Sequence, residues 1–340
     1  MLSVLGLSSY AQAQSPNELG APQQAAVDPA TAAALGQIQA QAPTPFTLNG
    51  MLEAGLGQGA FLANRYARNP YFGWGVSVVP AYYPKPEITL SIYAKLSQEL
   101  TDSDVDNHPY QPIFADMQLR ARYVLPEMPV LGINTFTELR AYLPTSRLSQ
   151  YETMVTALLA RLTFIRSFGP IVLAAGGYFR KNFHRYQSPV VEAGGRVPSL
   201  YARAGGIEDL RGSAIAIAGN NVSFATQGWL AISYVPLPSF SISLLYGVSN
   251  AWTYRSYPKD ERSGVYAKAG RGQRDTAWGG LDLWYRFTQR FSMSAGVFTA
   301  ANPKTEDTQS FRFPFYDFNS TASNLTTFYL NLVVTEYLGG

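Results

Sequence analysis

From Phe46 onward, apolar residues alternate with polar or small residues along most of the chain. In one segment Ile88, Leu90 and Ile92 alternate with Thr89 and Ser91. Successive side chains of a strand point to opposite faces of a sheet, so this period of two predicts strands with one apolar and one polar face. We count about twelve such segments. They span 46–57, 72–83, 87–100, 114–125, 132–143, 153–166, 171–183, 222–235, 240–253, 275–287, 291–301 and 325–337.

The lengths of these segments and of their connections narrow the fold class. Each segment has about 11 to 14 residues, whereas strands of soluble proteins average about five or six and a tilted membrane-crossing strand needs about nine to eleven. The connections alternate between short and long. Short ones lie at 84–86, 126–131, 167–170, 236–239 and 288–290, and long ones at 58–71, 101–113, 144–152, 184–221, 254–274 and 302–324. This alternation requires an even strand number, with both ends of the chain on the short-turn side.

Aromatic residues recur beside the short turns, where a membrane barrel carries an interfacial girdle. They are Tyr82, Tyr123, Phe164, Tyr234, Phe240, Tyr285, Phe287 and Phe291. Over 46–338 the chain resembles the Gram-negative outer-membrane β-barrel proteins of the porin-like class. The resemblance implies an all-β, closed, antiparallel up-and-down transmembrane barrel of about 12 strands, or 14 if the loop at 184–221 adds a hairpin. It also implies an outer-membrane location with both termini periplasmic. The implied partners are outer-membrane lipid, lipopolysaccharide and the barrel-assembly machinery.

The N-terminal region divides into two predicted segments before the barrel at 46–340. The apolar run Leu2–Leu7, followed by Ala11-Gln12-Ala13, is typical of a signal peptide cut after Ala13, so 1–13 is interpreted as a signal-peptide remnant. A short buried helix is the alternative. Residues 14–45 are rich in Ala, Gln and Pro. They predict a periplasmic linker or loose plug, with a role in contacting periplasmic or envelope proteins.

Composition excludes several other classes. The chain has no cysteine, which excludes a disulfide framework and a thiolate metal site. Its net charge of +3 is small and its Lys and Arg residues are not clustered, so nucleic-acid binding is not expected. Only 14% of residues are charged, against about 25% in an average soluble domain. We expect no cofactor.

If the apolar residues of each strand face lipid, the alternate residues face the barrel interior, and these include most of the charged residues of the strands. Four of these residues, Arg120, Arg140, Arg161 and Arg180, lie on successive strands and predict an arginine ladder along one wall. The full predicted interior set is Lys95, Glu99, Asp116, Arg120, Arg122, Glu138, Arg140, Arg161, Arg180, Asp282 and Arg286, with Glu53 on the first strand. Bulky inward residues, among them Trp229 and Phe298, predict a narrow lumen.

Two functions fit this interior. In an open barrel the arginine wall would favour anions, which predicts a narrow channel for small, anionic solutes. In a closed barrel the same residues would pair internally, which predicts a non-conducting structural barrel that anchors or scaffolds an envelope complex. The longest loop, 184–221, would act as a constriction, as an extension of the sheet or as an added hairpin.

Evidence for other chemistry is thin. Asp102, Asp104 and Asp106 match the first positions of a calcium loop, but the positions where Gly and Glu are expected hold Asn107 and Ile113. They form at most a loose metal site. A rim esterase would need His184 with Ser188, or His108 with an asparagine, and no motif supports either pairing. The chain is therefore predicted not to be an enzyme.

Overall fold

The computed structural model describes residues 45–57, 72–101, 110, 112–128, 132–188, 190–192, 214–216, 220–256, 270–301, 303 and 326–338. Within these ranges the chain is almost entirely β-strand. The strands are β1 (Phe46–Gly57), β2 (Phe72–Lys85), β3 (Ile88–Glu99), β4 (Pro112–Phe114), β5 (Met117–Met128), β6 (Ile133–Leu143), β7 (Met154–Phe168), β8 (Ile171–His184), β9 (Val190–Glu192), β10 (Ala214–Ala216), β11 (Val222–Leu237), β12 (Phe240–Ser256), β13 (Gly270–Arg286), β14 (Phe291–Ala301) and β15 (Thr327–Leu338).

Twelve of the described strands form one closed antiparallel barrel. Each pairs with the strand before and after it in the chain, and β1 pairs with β15 in an unbroken register from Phe46↔Leu338 to Gly57↔Thr327. The closed ladder satisfies backbone N–H and C=O groups that hydrocarbon could not. The predicted twelve-strand barrel is therefore confirmed, with each predicted segment falling on one of its strands.

The short elements at the long-loop end lie outside this ring. The three-residue β4 pairs with the upper part of β3, above the point where β5 takes over that pairing. Strands β9 and β10 form a separate two-stranded sheet within the longest loop. The alternative of fourteen barrel strands is therefore wrong, because this hairpin does not enter the barrel ladder. Helix α1 (Arg147–Tyr151) occupies the connection between β6 and β7.

The outer surface of the barrel is apolar. Leu139 and Leu230 have 59% and 62% of their side-chain surface exposed, and Leu, Ile and Val residues line the same face of most strands. Outward charges lie near strand ends, as at Arg166, Lys181 and Glu336. A soluble protein would not expose a continuous apolar belt of this kind, so the surface is that of a membrane-spanning barrel.

Exposed aromatic rings border this belt at both ends. At the short-turn end Phe46 stacks on Tyr82 with ring centroids 4.8 Å apart, and Phe287 stacks on Phe291 at 5.2 Å. Of the eight predicted girdle residues, Phe164, Phe240 and Phe291 are half-buried and the other five are exposed. The long-loop end has its own exposed rings, at Phe72, Phe114, Phe179, Phe183 and Phe328. No helix among the described residues is long and apolar enough to cross a membrane.

Candidate functional site

One half of the barrel interior carries a cluster of five arginines around a single glutamate, which we call the arginine cluster. In the sheet register Glu138 on β6 lies opposite Arg122 on β5 and opposite Arg161 on β7. Arg140, two residues further along β6, donates its Nε–H to a Glu138 carboxylate oxygen. Glu138 is therefore the common neighbour of three guanidinium groups.

The remaining two arginines lie on the long-loop side of Glu138. Arg120 lies directly opposite Arg140, whereas Arg180 on β8 lies opposite Leu159. The predicted ladder of Arg120, Arg140, Arg161 and Arg180 is thus staggered, because Leu159 separates Arg140 from Arg180 and Arg161 lies one level lower. Five guanidinium groups and one carboxylate give the arginine cluster a formal charge of +4 (five minus one).

Aromatic rings hold four of these guanidinium groups against the wall. The Cζ atom of Arg122 is 3.8 Å from the Phe136 ring centroid, and that of Arg120 is 4.3 Å from the Tyr93 centroid. The corresponding distances are 4.5 Å for Arg180 over Tyr142 and 5.5 Å for Arg161 over Trp229. A cation over an aromatic face is stabilised by about 0.5 to 2 kcal/mol without being neutralised.

Neutral amides orient the same groups. Arg120 donates from Nε to Gln118 Oε1 at 3.0 Å, and Arg180 donates from Nε to Asn182 Oδ1 at 2.8 Å. The buried Nε of Arg122 has no hydrogen-bond acceptor among the described residues. Rings and amides thus fix the geometry of the arginine cluster.

A separate ion pair adds no net charge to the interior. Lys95 on β3 bonds through Nζ to Glu53 Oε1 on β1, so the pair spans the intervening strand β2. Gly75 on β2 provides the space, since a Cβ there would lie 2.9 Å from Glu53 Oε1 and 3.2 Å from Lys95 Cε. Two of the predicted interior charges therefore neutralise each other at a site made by a glycine.

The other predicted interior residues lie apart from the arginine cluster. Asp116 accepts from the backbone N–H of Ser146, 2.9 Å away, and from the Ser149 hydroxyl, which anchors α1 at the long-loop end. Asp282 on β13 accepts from the Tyr329 hydroxyl at 2.6 Å. Arg286, near the short turns, donates to the carbonyl oxygen of Pro238 at 3.0 Å.

The opposite half of the interior, from β11 to β15, is lined mainly by neutral residues, and we call it the neutral wall. Its large rings rest on glycines of neighbouring strands. A Cβ at Gly176 would lie 2.7 Å from the Trp229 ring, and a Cβ at Gly247 would lie 2.2 Å from the Trp278 ring. Both tryptophans are therefore packed closely against the wall.

The candidates for other chemistry remain unsupported or fall outside the described residues. Ser188 donates its hydroxyl to Asn220 Oδ1 at 3.1 Å, while the ring of His184 packs against that of Tyr254, so the two predicted esterase residues are engaged elsewhere. Asp102, Asp104, Asp106 and His108 lie outside the described residues. Within the described ranges no group of three or more His, Asp or Glu side chains is placed to hold a metal ion.

Fold and surface together define the class: a twelve-stranded transmembrane β-barrel of the outer-membrane type. No protein-family model matches the chain, and no curated protein matches it. Among solved structures it is similar to an outer membrane channel described as COG4313 from Pseudomonas putida F1, with a TM-score of 0.49 and 10% identity over 86% of this chain and 96% of that one.

Two porins show the same likeness of fold. The NanC porin aligns with a TM-score of 0.43 and 8% identity, over 84% of this chain and 99% of the porin. The KdgM porin aligns with a TM-score of 0.38 and 7% identity, over 84% of this chain and 98% of the porin. At these identities the likeness concerns the barrel fold alone.

Proposed function

We propose that this barrel is an outer-membrane channel that passes small solutes and favours anions. The observation that carries the proposal is the excess charge of +4 on the arginine cluster, five guanidinium groups against the single carboxylate of Glu138. An anion beside this wall gains favourable electrostatic energy, and a cation is repelled. The amide oxygens of Gln118 and Asn182 orient Arg120 and Arg180 on this wall.

The cluster suits small anions such as chloride, carboxylates and phosphates. Guanidinium groups present several N–H donors in a plane, which match the paired oxygens of a carboxylate or phosphate. Rings beneath Arg120, Arg122 and Arg180 keep these donors on the wall at fixed positions, so a passing anion need not order them. Binding spread over several sites lets an ion enter and also leave.

We propose that the short-turn end faces the periplasm. Outer-membrane barrels carry short periplasmic turns and long extracellular loops, and the alternation of connections in this chain follows that rule. This orientation places both termini in the periplasm. It would also let the segment at 14–45 contact periplasmic or envelope proteins and let the barrel-assembly machinery act from that side.

The test is single-channel recording of the purified full chain in planar bilayers under a potassium chloride gradient. Arg120→Gln with Arg180→Gln removes two of the five positive charges of the arginine cluster. The matched control, Lys95→Gln with Glu53→Gln, replaces two interior side chains without changing the net charge. We expect discrete conductance steps with a reversal potential that favours chloride, moved toward zero in the arginine variant and unchanged in the control.

Two outcomes would contradict the proposal. A cation-selective current would show that the arginine cluster does not set selectivity. A correctly folded barrel that gives no current would instead favour the structural, scaffolding role. Periplasmic proteins should then co-purify with the full chain and be lost when 14–45 is deleted.

A further inference from the structure

The outer face of the barrel carries a group of cations at the long-loop end, at the border of the apolar belt. Lys181 on β8, Arg255 on β12 and Arg271 on β13 surround the rings of Phe224 and Trp252, and we call this group the basic rim. Phe224 lies opposite Lys181 on one side and opposite Trp252 on the other. The two rings stack with centroids 4.9 Å apart.

Contacts with neighbouring residues hold Lys181 and Arg271 in place beside these rings. Lys181 donates from Nζ to the Ser223 hydroxyl at 2.6 Å, with Nζ 5.1 Å from the Tyr254 ring centroid. Arg271 donates from Nη1 to the Thr253 carbonyl oxygen at 3.0 Å, with Cζ 5.5 Å from the Phe224 ring centroid. Each uses one donor in these contacts, so further donors of both side chains remain for a ligand.

Two cations of the basic rim, Arg255 and Arg271, are direct neighbours. Arg255 lies directly opposite Arg271 in the register, and like charges at such a position are mutually destabilising. Among the residues that the structure describes, none of the three cations forms an ion pair. The nearby carboxylate of Asp275 accepts instead from the amides of Asn250 and Gln273. An anion seated between the cations would remove this repulsion.

Position on the barrel decides what that anion is. The basic rim lies at the border of the apolar belt, where exposed Phe179 and Phe183 mark the membrane interface. A small soluble anion would contact the cations but not the stacked rings. A phosphorylated lipid can place its phosphates beside the cations and its acyl chains along the rings and the apolar belt. We propose that the basic rim binds the phosphates of lipopolysaccharide, through its lipid A moiety, in the leaflet at the long-loop end.

Native mass spectrometry of the full chain in detergent, titrated with bisphosphorylated lipid A, tests this site. Lys181→Gln with Arg271→Gln should bind lipid A about thirtyfold more weakly, since each interfacial cation contributes about fivefold. The matched control is Arg166→Gln with Arg290→Gln, which removes two cations at the short-turn end and should leave the affinity unchanged. Dephosphorylated lipid A should bind the wild type as weakly as lipid A binds the variant.

Three results would overturn the proposal. They are undiminished lipid A binding by the Lys181→Gln/Arg271→Gln variant, equal affinity for phosphatidylglycerol, and displacement of bound lipid by inorganic phosphate. If that variant fails to fold, as judged by its heat-modifiable gel shift, Arg255→Gln with Arg271→Gln removes two exposed cations and tests the same prediction. The lipid site rests on the proposed orientation of the barrel but does not require that the barrel conducts ions. The Lys181→Gln/Arg271→Gln and Arg255→Gln/Arg271→Gln variants should therefore keep wild-type conductance and anion preference.

Discussion

The two halves of the barrel interior are packed by different means. On the arginine cluster, rings and amides position guanidinium groups, as Phe136 does for Arg122 and Gln118 for Arg120. On the neutral wall, tryptophan rings rest on glycines, as Trp278 does on Gly247, and paired hydroxyls such as Ser233 and Ser243 bond at 2.8 Å. The backbone ladder between β1 and β15 closes the barrel, so the excess charge of the arginine cluster is not required for closure.

This difference indicates where function and stability separate. The neutral wall gains its stability from shape, because each large ring needs a residue without a side chain beneath it. The arginine cluster depends instead on Glu138, whose carboxylate offsets the mutual repulsion of Arg122, Arg140 and Arg161. Substitutions on the two walls should therefore have different effects on stability, conductance and ion selectivity.

The largest effect is expected from Glu138→Gln. Removing one partner of a buried ion pair costs about 3 to 5 kcal/mol, and here the carboxylate serves several guanidinium groups. The free energy of unfolding, measured by urea titration in lipid vesicles, should fall by that amount. Glu336→Gln is the matched control, because its pair with Arg290 is 47% and 63% exposed and should contribute less than about 1 kcal/mol.

A double-mutant cycle sharpens this prediction. Glu138→Gln with Arg140→Gln removes both members of the closest pair, so the double variant should lose less stability than the sum of the two single variants. Strict additivity would show that Glu138 and Arg140 do not interact, which would contradict the arrangement described for the arginine cluster.

On the neutral wall, Gly247→Ala should lower stability by about 1 to 3 kcal/mol through overpacking. The new methyl group would lie 2.2 Å from the Trp278 ring and push it toward the lumen. Conductance should fall as well, without a change in ion selectivity. Gly228→Ala on β11 is the control, since its Cβ would meet no atom within 4 Å. An equal loss in both variants would show that contact with the Trp278 ring is not the cause.

The smallest effect is expected from Asp282→Asn. The amide oxygen can still accept from the Tyr329 hydroxyl, so stability should change little. Removing this negative charge from the neutral wall should slightly raise the preference for anions in bilayer recordings. A shift toward cations would mean that Asp282 does not face the ion path.

Much of the barrel follows from the period of two, and its exceptions have physical causes. The predicted segment at 291–301 coincides with β14, and that at 46–57 with β1. Strand β13 begins at Gly270 rather than near 275, because Arg271, Gln273 and Arg274 carry no apolar signal where the hairpin passes beyond the apolar belt. Elements of three to five residues, such as β4 and α1, are too short to show any period.

For the interior, the alternation of residues predicts which face of a strand a side chain lies on but not which side chains it contacts. Alternation places Arg122, Glu138 and Arg161 on one face, but their contact depends on the stagger between strands. The bond between Lys95 and Glu53 crosses a whole strand and depends on Gly75, which no pattern in the chain marks. Asp116 shares the inward face and yet anchors α1, because Ser146 and Ser149 lie above it at the long-loop end.

The most direct test of the account is to reverse the charge on the arginine cluster. Arg120→Glu with Arg180→Glu changes its formal charge from +4 to 0, a loss of two units at each position. In planar bilayers under a potassium chloride gradient, the wild-type reversal potential should favour chloride and that of the variant should lie near zero or favour potassium. Unchanged chloride selectivity in a correctly folded variant would contradict the claim that this wall selects anions.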